Sequence, residues 1–314
     1  MGPGFFARFS PRAGFFFIIL WLAGCAGPHT ILQESQLPRH KELAGVPFFP
    51  QQQYQCGPAA LAMAMSAAGA EVTPEALVSQ VYLPQRKGSL QVDMLAAVRR
   101  NGMLSYRLSQ ELSDLLTEVA TETPVIVLQN LGLSWYPVWH YAVVVGYDLE
   151  LQQIILHSGL EHRLVMPLST FQRTWQRGGS WAMVALSPER TPVSATEQNH
   201  IAAVLALEQS GQLNAAQVAY QTAVKRWPQN LTALIGLGNA YHESGNLSQA
   251  EEVFRQATLL HPESAASFNN LAQTLADLGR YDEALQAAQQ AVALGGAYLA
   301  TSRQTLRSIE AQYR

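Results

Sequence analysis

The sequence predicts an α+β domain followed by an all-α repeat array, and three observations carry this reading. Between residues 57 and 100 the apolar residues come in helix-forming stretches, whereas from 124 to 186 they come in short β-branched and aromatic runs. Beyond residue 197 the pattern is helical throughout, and Gly211, Gly245 and Gly279 recur with a period of 34 residues. The chain has 314 residues, enough for about two domains, and its 48% hydrophobic content supplies their cores.

Charge and cysteine content narrow the function. The 20 basic and 23 acidic residues leave a net charge of −3 with no basic run in the mature part, which argues against a nucleic-acid partner. Two cysteines, Cys25 and Cys56, cannot make a disulfide framework, and their surroundings differ. Residues 1–24 carry Arg8 and Arg12 and then an apolar stretch from Ala13 to Ala23, the layout of a secretory signal. That stretch is shorter than the roughly 20 residues a membrane-spanning helix takes. It ends Leu22-Ala23-Gly24-Cys25, which resembles the lipobox of bacterial lipoproteins. The resemblance implies cleavage before Cys25, acylation of that residue and a stable anchor from several acyl chains. Ala26, rather than an aspartate, follows the cysteine; by resemblance to lipoprotein sorting in Gram-negative cells this implies the outer membrane of the cell envelope. Residues 25–45, with Gly27, Pro28, Pro38 and Gly45 and no apolar period, read as an acylated tether.

The first domain spans residues 46–187. Gly57 to Ala68 is rich in helix formers and apolar on more than one face, so it predicts a buried helix ended by Gly69. Two further helices are expected, over Pro74–Val81 behind Thr73 as N-cap and over Leu90–Arg100 closed by Asn101-Gly102. Strands are expected at Pro124–Leu128, Tyr141–Tyr147, Gln153–His157 and Trp181–Leu186. Helices first and strands later is the order of an α+β domain. Residues 188–196, opening with a segment that holds Pro188 and Pro192 and has no periodicity, read as a linker.

Residues 197–314 hold the repeats. Around the glycines, Ala216, Ala250 and Ala284 fall into step, as do Ala223, Ala257 and Ala291, and Tyr220, Phe254 and Ala288. Leu237-Gly238, Tyr241 and Pro262 complete the middle unit, and Pro228 matches Pro262. The pattern resembles the tetratricopeptide repeat, which implies three pairs of helices whose small residues allow close approach. The first unit departs most, with His200 and Ala203-Val204 at its large and glycine positions. Leu299 to Tyr313 then serves as the solvating end helix. The resemblance also implies a concave face that takes a protein or peptide partner.

Two segments of the first domain point to chemistry. In Gln51-Gln52-Gln53-Tyr54-Gln55-Cys56-Gly57-Pro58 a cysteine stands where a helix begins, so unpaired amides and the helix dipole favour its thiolate. An upstream glutamine amide can donate to an oxyanion formed in acyl transfer. In Trp139-His140-Tyr141-Ala142-Val143-Val144-Val145 a histidine opens an apolar strand, from which an imidazole can deprotonate Cys56. Each alone is also compatible with an ordinary core residue.

Together these segments resemble family thirty-nine of the cysteine peptidases, the papain-like double-glycine peptidases that trim bacteriocin leaders. The resemblance covers residues 46–186 and implies a papain-like fold with Cys56 as nucleophile, His140 as base and Gln51 as oxyanion donor, with Gln52 and Gln53 as alternatives to Gln51. The family's third residue, an aspartate before a proline at the end of the strand after the histidine, is replaced here by His157 or Ser158. Neither stabilises an imidazolium as a carboxylate does. A zinc site at His157, Glu161 and His162 lacks a thiolate and is broken by Gly159; neither a metal nor, without a phosphate cradle or dinucleotide fingerprint, any cofactor is expected. The sequence therefore predicts a membrane-anchored cysteine peptidase acting on a peptide or protein, with a repeat domain for a partner. The alternatives are an envelope adaptor whose degenerate domain only binds peptides, and a papain-like transamidase or amidase.

Overall fold

In the computed structural model, which describes Gly2, residues 37–51 and residues 55–313, the first domain is built on an antiparallel sheet. The signal segment, Cys25, the first part of the tether, Gln52 and Gln53 lie outside the described residues. The strands are β1 (His40–Glu42), β4 (Leu104–Arg107), β5 (Val125–Asn130), β6 (Trp139–Asp148), β7 (Gln153–Ser158), β8 (Glu161–Pro167) and β9 (Ala182–Leu186). They run in the order β4-β9-β5-β6-β7-β8, with β1 pairing beside the far end of β6. A short ribbon, β2 (Tyr82–Leu83) and β3 (Gly88–Ser89), stands apart from this sheet.

The core lies at the middle strands. β5 is buried at every residue and β6 from Tyr141 to Tyr147, so side chains on both faces are covered. Helix α1 (Cys56–Ala67) packs on β5, β6 and β9. Its residues from Gly57 to Met65 are all buried, which suits a helix that is apolar all round. Helix α2 (Pro74–Val81) is capped by Thr73, whose hydroxyl accepts from the Ala76 amide, and α3 (Gln91–Arg100) buries Met94, Ala97 and Val98. Two helices unassigned from the sequence, α4 (Leu112–Ala120) and α5 (Leu168–Arg177), complete the cover. α4 packs on β1, β5 and β6, and α5 on β5, β7 and β8.

The tether reading needs correcting over its last residues. His40–Glu42 pairs with Asp148–Gly146 of β6, Glu42 forms a two-pronged ion pair with Arg163, and Leu43 is buried. The three strand residues are polar and join the sheet through their backbone, so they carry no apolar period. The linker at 188–196 is likewise fastened down. Ser194 donates from its amide and hydroxyl to buried Glu118, Arg190 donates to Thr123, and the Thr196 amide donates to the Tyr106 hydroxyl.

The repeats are three helix pairs: α6 (Glu197–Gln209) with α7 (Leu213–Arg226), α8 (Leu231–Glu243) with α9 (Leu247–Leu260), and α10 (Ala265–Asp277) with α11 (Tyr281–Leu294). An end helix, α12 (Leu299–Tyr313), packs on α10 and α11 and buries Ile309. Gly211, Gly245 and Gly279 sit at the turn inside each pair with φ of 81, 78 and 75°, the left-handed region where a side chain is strained. This explains their 34-residue period. The aligned alanines 216, 223, 250, 257, 284 and 291 are buried where helices meet. The first unit departs from the pattern where α6 also packs on β4 of the first domain. There His200 is fully buried beside Trp227, and neither of its ring nitrogens finds a partner. No helix of the described residues is long and apolar enough to cross a membrane.

Close approach inside the array gives a direct test. A Cβ added at Gly238 would lie 2.4 Å from the Phe254 ring, so something must shift. Gly238→Ala is expected to destabilise the protein by about 1–3 kcal/mol and to lower the melting temperature. Truncating the ring in Gly238→Ala/Phe254→Leu should restore part of the loss. An unchanged melting temperature for the single variant would contradict this packing.

Candidate active site

The site is assembled at the edge where the start of α1 meets the start of β6. Cys56 is the first residue of α1, and no side chain caps that end, since Gln55 makes no capping hydrogen bond. The first-turn amides are therefore open toward the thiol. Gly57 lets the β2–β3 ribbon press against this end of the helix, because a Cβ there would come within 2.3 Å of the Ser89 hydroxyl. Tyr141 ties the ribbon to β6 by donating its hydroxyl to the Ser89 carbonyl.

Burial pushes the Cys56 thiol up from its ordinary value, and hydrogen bonds from the backbones of Tyr141, Gly57 and Cys56 pull it down by less. Against the thiolate favoured by the helix start, the thiol is only partly exposed, and its desolvation outweighs the amides.

Gln51 is buried and bound on three sides. Its amide donates to the Gly159 carbonyl at 3.0 Å, its Oε1 accepts from the Gly159 amide at 3.1 Å, and its Nε2 donates to the Tyr141 carbonyl at 3.2 Å. The Tyr141 backbone therefore lies between the two: its carbonyl accepts from the Gln51 side chain, and its amide is among the backbone groups that favour the ionised Cys56 thiol. Nε2 carries two hydrogens, and among the described residues it donates one, to Tyr141.

His140 precedes Tyr141 in β6, and its Nε2 lies 2.9 Å from the Ser158 hydroxyl. Strand register explains the pairing. β6 faces β7 with Val143 opposite His157, so one residue further on Ser158 faces Ala142, on the same side as His140. His157 points the other way, and its candidacy is corrected on that ground. It is buried, with Nδ1 on the His162 carbonyl and Nε2 at 3.3 Å from the Val46 carbonyl, and its ring meets Phe48 and His162 edge-on and tilted. Among the described residues no group of three or more His, Cys, Asp or Glu comes together to hold a metal ion.

Burial holds the His140 imidazole below its ordinary value, so desolvation disfavours the charged form of each member of the pair. With Nε2 on Ser158, Nδ1 is the nitrogen left for the thiol. No hydrogen bond joins Cys56 to His140 in this resting arrangement. Among the described residues no carboxylate hydrogen-bonds His140, and Ser158 takes its Nε2. The Tyr141 backbone is the part of the site that sequence reasoning missed, since only the fold shows which residue separates thiol from glutamine. A cleft of about 180 Å³, lined by Phe49, Pro50, Gln55, Ala59 and Thr73–Glu75, opens beside the first turn of α1.

Comparison with known proteins agrees with this architecture. The Peptidase_C39 like family matches residues 43–183, and tetratricopeptide repeat models match residues 207–271 and 264–296. None of the curated proteins compared matches the chain. Among solved structures, a candidate C39-like peptidase from Bacillus anthracis is 16% identical, covering 47% of this chain and 97% of its own, with a TM-score of 0.40. MamA is 22% identical over 37% of this chain and 63% of its own, with a TM-score of 0.34. A thermophilic tetratricopeptide repeat protein of Thermus thermophilus is 23% identical over 38% of this chain and 66% of its own, also at 0.34. The chain spans just under two thirds of each of the last two. It carries a Peptidase_C39-like domain over residues 43–183, followed by tetratricopeptide repeats of the kind that bind other proteins.

Proposed function

We propose that the protein is a cysteine peptidase anchored to the cell envelope through Cys25, with Cys56 as nucleophile, His140 as base and Gln51 as oxyanion donor. The observation that carries this reading is that Gln51 Nε2 donates to the carbonyl of Tyr141, the residue directly after His140, on the strand against which the helix that starts at Cys56 packs. In the reaction His140 Nδ1 takes the thiol proton as the sulfur attacks the substrate carbonyl carbon. The negative charge on the carbonyl oxygen is met by the second Nε2 hydrogen of Gln51 and by the amides at the start of α1. The tetrahedral intermediate then expels the amine, which takes the proton from His140, and a thioester remains. Water, giving a proton to His140, attacks the thioester and releases the acid with the thiol restored. An amine in place of water would make the same machinery a transamidase, and a side-chain amide substrate an amidase.

Ser158 orients the imidazole through Nε2 and supplies no charge to the imidazolium. The concave face of the repeats takes a protein or peptide partner, and the acylated Cys25 holds the assembly at the outer membrane of a Gram-negative cell. One observation favours a second reading, an envelope adaptor that binds peptides without cleaving them. The thiol is pushed up by burial and no carboxylate hydrogen-bonds the histidine.

Labelling of the full chain by a thiol-directed acyl probe separates these readings. In a chain carrying Cys25→Ala, Cys56 should react and the added Cys56→Ala should abolish labelling. A raised thiol leaves little thiolate at neutral pH unless a base removes the proton, so His140→Ala should slow labelling strongly near pH 7 and much less only well above about pH 9, once the pH passes the thiol's raised value and it ionises unaided. Equal loss at both pH values, or none, would remove His140 as the base. Ser158→Ala should change the rate little, whereas Ser158→Asp should raise it near pH 7 by placing a carboxylate on Nε2. A Ser158→Asp variant slower than the parent would contradict the orientation assigned to the ring. For the anchor, Cys25→Ser should abolish fatty-acid labelling and release the protein from the membrane fraction. A wild-type chain that takes up no fatty acid would exclude it.

A further inference from the structure

Between β5 and β6 the chain makes a hairpin, residues 131–138, that the peptidase reading does not use. Leu131, Leu133, Trp135, Tyr136, Val138 and Trp139 are all exposed, Trp135 at 81% and Tyr136 at 69%. No charged residue occurs from Gln129 to Trp139. So large an apolar surface is costly in water unless something covers it.

The hairpin is closed by its own hydrogen bonds. Leu131 donates to the Val138 carbonyl, and Leu133 and Tyr136 exchange backbone hydrogen bonds across a two-residue turn. The buried Asn130 side chain accepts from the amides of Gly132 and Val138 at 3.0 Å each, and it donates to the Leu133 carbonyl. Gly132 permits this closure, since a Cβ there would lie 2.4 Å from the Tyr136 carbonyl. Pairing of this kind lowers the number of polar groups stranded when the flanks of the hairpin leave water, while the Ser134–Trp135 turn can keep its amides at the polar headgroup level. At the base, the exposed Arg177 donates to the Asn130 carbonyl, setting a positive charge beside the apolar tip.

We propose that the 131–139 hairpin docks into the interface of an anionic lipid bilayer, with Trp135 and Tyr136 among the acyl chains and headgroups and Arg177 facing lipid phosphates. Tryptophan and tyrosine are the side chains that favour such an interface, being apolar with one polar end. An adjacent cation adds attraction to anionic headgroups. The apolar side chains project outward instead of lining a recess, which suits a fluid apolar phase better than a peptide side chain that needs an enclosing subsite. Because the hairpin runs straight into His140, docking would hold the Cys56–His140 site at the membrane surface. The inference does not depend on the peptidase reading.

The test is a fluorophore on Ser134→Cys in the full chain carrying Cys25→Ala and Cys56→Ala, which leaves one thiol and no acyl anchor. Mixed with phosphatidylethanolamine and phosphatidylglycerol vesicles, the probe should shift to the blue, lose quenching by aqueous iodide and gain quenching by nitroxide on lipid acyl chains. The same probe on Glu189→Cys, in the linker, should show none of these changes, and adding Trp135→Ser and Tyr136→Ser should reverse them. A probe at 134 that stays open to iodide in the presence of vesicles would overturn the proposal. So would protection by an apolar peptide without lipid, which would assign the hairpin to substrate recognition.

Discussion

A single glutamine residue ties together the end of the sheet that carries His140. Gln51 lies between Tyr141 of β6 and Gly159 of the β7–β8 turn, where the direct ladder between the strands gives out, and replaces it with three hydrogen bonds. Leaving those backbone groups buried and unpaired would cost about 1–3 kcal/mol for each one. The same contacts fix the Tyr141 peptide, and the positions of the Cys56 thiol and the His140 ring follow from it. Scaffold and site therefore share one interaction, so a change at Gln51 reaches stability and chemistry together.

The electrostatics of the pair follow from where that interaction puts it. Burial raises the thiol and lowers the imidazole, so both forces oppose the charged thiolate–imidazolium state. Against them stand the amides of Tyr141, Gly57 and Cys56. A carboxylate on Nε2 would tilt the balance toward the ion pair, and Ser158 orients without doing so. On this account the charged pair forms as a substrate carbonyl arrives, not in the resting protein.

What could be read from the sequence was local. Cys56 at a helix start, the Thr73 cap and the three turn glycines are signalled by residues within a few positions of one another. What could not be read depends on distant pairing. Ser158 and not His157 meets His140 because of the register between β6 and β7, and a shift of one residue would exchange them. Gln51 could be named as a candidate, but its bonds to a turn 108 residues away could not. β1 has polar residues and no period, so it passed for tether until its pairing with β6 was seen. In the 131–139 hairpin Leu131, Leu133 and Trp135 alternate with Gly132 and Ser134, but that the apolar side chains stand out in solvent is a matter of exposure, which sequence does not display.

The central claim is that Cys56 forms a covalent acyl intermediate. Intact-mass analysis of the full chain, acid-quenched during incubation with a mixed peptide substrate, tests it directly. The account predicts an acyl adduct confined to the segment that contains Cys56, with a mass matching the amino-terminal fragment of a cleaved peptide. Peptide cleavage with no adduct on Cys56, or undiminished in Cys56→Ala, would contradict it.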